Sequence, residues 1–178
     1  METTVHGKVE VERKVWFSMW FLSAVVTFGL AFFPMFYRLT ENRNKHFSRE
    51  AELEKQLVDY LKSKGKQPPT LSERLPERNS KVWALSIILV IPAFVLTYLL
   101  SKDLLVHERR QDAFLAAAIP ERMFMPQTIP IKTYVLITIV TLGIGGIYWL
   151  YKVANLYNAH FKAQSQVEKE IMRFMEEK

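Results

Sequence analysis

The chain has no cysteine, which excludes disulfide bridges, thiolate metal sites, iron–sulfur clusters and cysteine nucleophiles. Glycine is scarce, with 6 in 178 residues, and no P-loop, G-x-S-x-G, H-E-x-x-H or dinucleotide fingerprint occurs. The most informative absence is of charge: Val15–Tyr37, Val82–Leu100 and Thr133–Tyr151 hold no Asp, Glu, Lys, Arg or His. Pumps, proton relays and coupled transporters usually keep an ionisable group on their path, so that class is not expected. Three helices also bury little volume for a substrate pocket. The chain is therefore expected to be no enzyme, with no cofactor and no small-molecule substrate.

Averages conceal this pattern. Hydrophobic residues make up 49% of the chain and mean hydropathy is +0.01, values that would suit an ordinary globular domain. The apolar residues are nevertheless concentrated in the three uncharged blocks, and all 24 basic and 18 acidic residues lie outside them. The first block is 23 residues long and the others 19 each, and at about 1.5 Å per residue the first covers roughly 34 Å, enough for a hydrocarbon core of about 30 Å. Trp16, Trp20, Tyr37, Trp83, Tyr98, Tyr134, Tyr148, Trp149 and Tyr151 gather toward the block ends, as at membrane interfaces. Balanced charges before Val15 and bulky residues at the block's end argue against a cleaved signal. Pro34 and Pro92 are expected to mark kinks.

The composition thus predicts an all-α polytopic membrane protein with three transmembrane helices, the first and third extended into cytoplasmic amphipathic helices. Its parts are a polar N-terminal segment (1–14), helix 1 (15–37), a helical extension (38–64), a polar linker (65–81), helix 2 (82–101), an amphipathic then irregular loop (102–132), helix 3 (133–151) and a C-terminal helix (152–178). Lys and Arg number 3 before the first block, 11 in 38–81, 5 in 101–132 and 5 after Tyr151. Three crossings with this distribution predict the cell membrane, N-terminus outside and C-terminus cytoplasmic.

A shift of 114 residues superimposes Thr27 on Thr141, Gly29 on Gly143, Tyr37 on Tyr151, Asn44 on Asn158, His46 on His160, Phe47 on Phe161 and Glu54-Lys55 on Glu168-Lys169. The middle block joins through Tyr98, Leu100, His107, Gln111 and Phe114, so the shared element is Y-x-[LV]-x6-H-x3-[EQ]-x2-[LFV]. Positions −7, 0, +4 and +7 about the histidine fall on one helix face, which predicts helices continuing from the apolar blocks into polar extensions. The first extension is expected to stop near Lys64-Gly65, ahead of the linker KQPPTLSERLPERNS. Residues 103–118 are expected to form a surface helix that turns Leu104, Leu105, Phe114 and Leu115 toward lipid or a partner.

Imidazole is the commonest metal ligand, and His46 with Glu50 has i, i+4 spacing. Candidate ligands are accordingly His46, Glu50 and His160, with an axial haem pair of His46 and His160 as the variant. Three crossings put His107 on the opposite side, which disfavours a three-histidine site. The simpler expectation is that the juxtamembrane histidines are helix-packing contacts, with no bound metal. Thr27, Gly29, Thr141, Gly143, Gly145 and Gly146 form small-residue patches read as the contact between helices 1 and 3 or with a partner helix.

The run T-L-G-I-G-G-I-Y-W-L-Y-K, Thr141 to Lys152, resembles the T-L-G-I-Y-x-x-Y-W-x-Y-K motif of a family of small prokaryotic integral membrane proteins classed as a domain of unknown function. The resemblance covers the third block and part of the tail, and in degenerate form the first block from Thr27. It implies a membrane fold and carries no activity.

The function expected is that of a non-catalytic integral membrane subunit that assembles with or stabilises a larger membrane complex, its partners being the bilayer and other membrane subunits. A metal- or haem-binding protein and a homo-oligomeric pore or membrane-shaping protein are the alternatives. Nucleic acid is not expected as a partner, because basic residues alternate with Glu41, Glu50, Glu52, Glu54 and Asp59.

Overall fold

A computed structural model describes residues 12–119 and 128–176. The described residues form six α-helices and no strand: α1 (Phe17–Val26), α2 (Phe32–Ser63), α3 (Ser80–Ser86), α4 (Ile91–Ala118), α5 (Ile131–Val140) and α6 (Ile144–Glu176), with a 3-10 turn at Ile87–Leu89. The all-α expectation holds. Among the described residues, however, no helix is long and apolar enough to cross a membrane, because each apolar block breaks in its middle.

The breaks have a shared chemistry. Thr27 donates its Oγ1 hydrogen to Ser23 O at 2.7 Å, Gly29 N donates to Ala24 O at 2.7 Å, and Ala31 N donates to Thr27 Oγ1 at 3.0 Å. The third block repeats this: Thr141 Oγ1 donates to Ile137 O at 2.7 Å, Gly143 N to Thr138 O at 2.8 Å, and Gly145 N to Thr141 Oγ1 at 2.7 Å. A six-residue C-terminal cap thus closes one helix while the same threonine caps the next. The middle block turns at Val90, with φ 63, just after the 3-10 turn. Pro92 then sits in the first turn of α4, where its missing N–H leaves no bond unmade, and Pro34 lies in the first turn of α2. Neither proline kinks a spanning helix.

Each break is the apex of a helical hairpin. Asn42 Nδ2 donates to Arg13 O at 2.8 Å, so the chain before α1 returns beside α2. Ser80 Oγ donates to Glu41 Oε2 at 2.9 Å, and Arg78 is forked onto Asp103 at 2.7 and 2.8 Å, pairing α3 with α2 and α4. Tyr134 stacks on Trp149 at 6.0 Å, pairing α5 with α6. At the apices Phe28, Val90 and Leu142 are the non-glycine residues of positive φ, each of which costs about 1–2 kcal/mol.

The long helices α2, α4 and α6 therefore run parallel, with all three apices at one end. Phe28, Phe33, Val90, Phe94 and Gly146 line one apolar cavity there. The expected alternation of crossings is overturned: Glu12 lies 3.3 Å from His46, although a crossing α1 would have put them on opposite sides. Continuity of α2 to Ser63 agrees with the predicted extension, and Gly65, with φ 70, supplies the left-handed residue at its end. Residues 103–118 are no separate surface helix: they continue α4, and Leu104, Phe114 and Leu115 are core residues.

Side chains sort by level along this bundle. Leu39, Leu100 and Val153, seven residues before each histidine, are all fully buried in the core nearer the apices. Leu57, Leu61, Phe114, Val167 and Ile171 build a second core at the opposite end. The three tyrosines of the repeat, Tyr37, Tyr98 and Tyr151, are 36%, 40% and 38% exposed, an equivalence that marks a common level. Residues 1–11 of the N-terminal segment, 120–127 of the irregular loop, and 177–178 lie outside the described residues.

Candidate functional site

Between the two apolar cores lies a polar layer built by the repeat. The residue after each histidine reaches the histidine of the next copy. Phe47 stacks on His107 at 4.1 Å between ring centroids, Glu108 Oε1 meets His160 Nδ1 at 3.0 Å, and Phe161 packs on His46 at 4.7 Å. The three contacts close a ring, so the copies are arranged about a pseudo-threefold axis. Asn44 and Asn158 follow the same logic. Asn44 bonds both backbone groups of Arg78, ahead of α3, at 2.7 and 3.2 Å, and Asn158 bonds both of Val15, ahead of α1, at 2.9 Å each.

On this axis His46, Glu50, His107 and His160 bring one ligand atom each to within 4.8 Å of one another. His46 Nε2 is 2.9 Å from His160 Nε2 and 3.3 Å from Glu50 Oε1, and His107 Nε2 faces Glu50 Oε2. The outward nitrogens meet carboxylates: His46 Nδ1 lies 3.3 Å from Glu12 and His160 Nδ1 3.0 Å from Glu108. Arg49 binds Glu12 at 2.6 Å and Glu168 at 3.0 Å, while Gln111 Nε2 donates to Glu50 Oε1 at 2.7 Å.

Electrostatics set the protonation of these groups. Burial alone would strip His46 of its proton, but Glu50 and Glu12 outweigh it and hold the ring up at about 9. Burial pushes Glu50 up, and the charges of His46 and His107 more than reverse this, keeping it well below the usual carboxylate range. Burial lowers His160 despite Glu108, with the charge of His46 acting in the same direction. The two facing rings thus share one proton, donated from His46 Nε2 to the lone pair of His160 Nε2.

His46, Glu50 and His160 are brought together, and His107, which three crossings would have removed, completes the group. The rings of His46 and His160 are in direct contact at 84°, so no planar macrocycle fits between them and the haem pair is not supported. The small-residue patches serve other ends. Thr27, Gly29, Thr141 and Gly143 form the hairpin turns. A side chain at Gly145 would strike Ile137 of α5, and one at Gly146 would strike Phe94 of α4, so these glycines pack hairpins within the chain. Glu12, Arg49, Glu108 and Glu168 escaped the sequence analysis; the signal available for Glu108 was its register with Phe47 and Phe161.

No family model, curated protein or solved structure matches the chain.

Proposed function

We propose that the chain is an integral membrane protein that sinks three helical hairpins into one leaflet and holds its polar three-helix body at the surface as a non-catalytic assembly subunit. The observation that carries this reading is the distribution of exposed apolar side chains. Among the described residues, every exposed large hydrophobic except Leu71 lies in Trp16–Tyr37, Val82–Tyr98 or Leu136–Tyr151. Phe28 and Leu142, at two apices, are 98% and 95% exposed, a surface that water does not favour and lipid does.

Dimensions support the single leaflet. Arms α1 and α5 have 10 residues each, and α3 with its 3-10 turn has 7 and 3. At a rise of about 1.5 Å per residue each arm is about 15 Å long, half of a hydrocarbon core of about 30 Å. In the first and third hairpins the turn groups are capped by Thr27 and Thr141, which suits a turn placed in lipid. At the feet stand exposed Arg13, Lys14, Arg38, Lys81, Lys102 and Lys132, with Lys14 over Trp16 at 5.7 Å and Arg38 over Trp20 at 5.4 Å. Cations beside aromatic rings suit anionic headgroups, and they favour the cytoplasmic leaflet for the body. Other membrane subunits would be met at the polar body, because Gly145 and Gly146 are already covered within the chain.

The absence of cysteine lets single spin labels be placed cleanly. In liposomes, depth measured from Met19→Cys through Phe28→Cys to Tyr37→Cys should rise to a maximum at Phe28 and fall again. Depth that passes from one interface to the other between Met19 and Tyr37 would refute the hairpin and restore a crossing helix.

A further inference from the structure

We propose that His46, Glu50, His107 and His160 form a site for one divalent first-row transition-metal ion of the zinc class, closed on the pseudo-threefold axis of the bundle. The site goes beyond lipid anchoring and does not depend on it.

Donor chemistry comes first. Three imidazole nitrogens and one carboxylate oxygen match Zn2+ and its neighbours, and are poor company for Mg2+ or Ca2+, which take oxygen ligands. Spacing comes second. Ligands about 2.0–2.1 Å from a tetrahedral ion stand about 3.3–3.4 Å from one another. The separation of 3.3 Å for His46–Glu50 matches that edge and that of 2.9 Å for His46–His160 falls a few tenths of an ångström short of it, and the group as a whole spans no more than 4.8 Å.

The outer contacts give a third, independent reason. A metal-bound histidine hands its remote N–H to a carboxylate, which fixes the tautomer and turns the other nitrogen's lone pair inward. Glu12 on His46 Nδ1 and Glu108 on His160 Nδ1 occupy those places, at 3.3 and 3.0 Å. With both remote nitrogens turned to carboxylates, His46 Nε2 and His160 Nε2 converge on the axis 2.9 Å apart. Glu50 Oε2 and His107 Nε2 pair with each other inside the group, and Gln111 Oε1 beside them has no hydrogen-bond partner among the described residues. A cleft lined by Phe47, Ser72, Arg110 and Gln111 reaches Glu50 and His107 and gives an ion a way in.

The test uses the full chain in detergent or nanodiscs, stripped with chelator and titrated separately with Zn2+, Co2+ and Mg2+. One equivalent of Zn2+ should bind with a submicromolar Kd, Co2+ should give intense visible bands of low-symmetry coordination, and Mg2+ should not compete. His107→Gln, whose ring stands at the edge of the layer, should weaken Zn2+ at least tenfold, and Glu108→Gln should weaken it about 10–100-fold through loss of the outer carboxylate. Circular dichroism of each variant reports folding. A wild-type protein that takes up no stoichiometric Zn2+ would overturn the site, and this result needs no variant. Zn2+ affinity unchanged in folded His107→Gln, or equal competition by Mg2+, would overturn it as well.

Discussion

His46 Nε2 stands 2.9 Å from His160 Nε2 across 114 residues of sequence, the same interval that relates the first copy of the repeat to the third. A repeat read along the chain therefore becomes a contact in space, and equivalent residues meet about an axis. The contact requires the hairpins to point the same way, and several consequences can be measured.

The Asn44 and Asn158 clasps should contribute unequally. Each asparagine holds both backbone groups of one residue at the foot of a hairpin, Arg78 and Val15 respectively, and Asn44 Oδ1 also accepts from the buried Arg43 Nη1 at 2.9 Å. Asn44→Ala and Asn158→Ala should each cost about 1–3 kcal/mol, the penalty of stranding partly buried polar groups. Chemical denaturation in detergent checks this, and the loss for Asn44→Ala should be the larger.

Two glycines should fail for different reasons. A Cβ at Gly146 would collide with the Phe94 ring, whereas one at Gly29 meets nothing but needs φ +91. Gly146→Ala should lose about 1–3 kcal/mol by overpacking and recover part of it with Phe94→Leu. Gly29→Ala should lose about 1–2 kcal/mol of backbone strain, which Phe94→Leu cannot relieve. Thermal melts of the four proteins separate the two mechanisms.

Charges at the apices should weaken membrane attachment. Phe28→Asp or Leu142→Asp places a carboxylate at the deepest point of a hairpin, at a cost of about 2.5–3.5 kcal/mol. The fraction retained in membranes after an alkaline carbonate wash should fall for both. Leu71→Asp, in the linker at the other end of the bundle, should leave it unchanged.

Stability of the metal-free protein should peak near pH 6.5. His46, raised to about 9, faces Glu12, Glu50, His107 and His160, with Arg49 and Glu108 just outside. Its contribution is complete below the unfolded value of about 6.5 and is lost as pH rises through about 9. His160, lowered by burial, contributes above the unfolded value and loses that contribution as pH falls through its folded one. Glu50, held low, adds a further loss on acidification below about 4.5. Melting temperatures from pH 4 to 10 should trace this dome, and His46→Gln should flatten its alkaline side.

Much of this was legible in the residues. The helical face at −7, 0, +4 and +7 placed Leu39, Leu100 and Val153 in one buried layer and the histidines in the next. Lys64-Gly65 marked the end of α2. What misled was block length: 23 and 19 uncharged residues are enough to cross a bilayer, and a hairpin of two 10-residue arms uses the same composition. The signals of reversal were Thr27-x-Gly29 and Thr141-x-Gly143 at the block centres, whose small residues also suit a helix-packing surface, and Pro92, which opens α4. Taking the blocks as crossings then sent His107 to the far side and hid the third imidazole. Glu12 could not be found from sequence spacing, because its contact with His46 exists only once α1 folds back along α2.

All three copies of the repeat should lie on one side of the bilayer, and labelling of single cysteines measures this. Lys64→Cys, Arg109→Cys and Lys169→Cys each place a thiol at an exposed position of a different long helix or its cap. In sealed vesicles a membrane-impermeant maleimide should modify all three from the same face and none from the other. Protection of Arg109→Cys on the face where Lys64→Cys and Lys169→Cys react would contradict the hairpins and put His107 beyond the reach of His46.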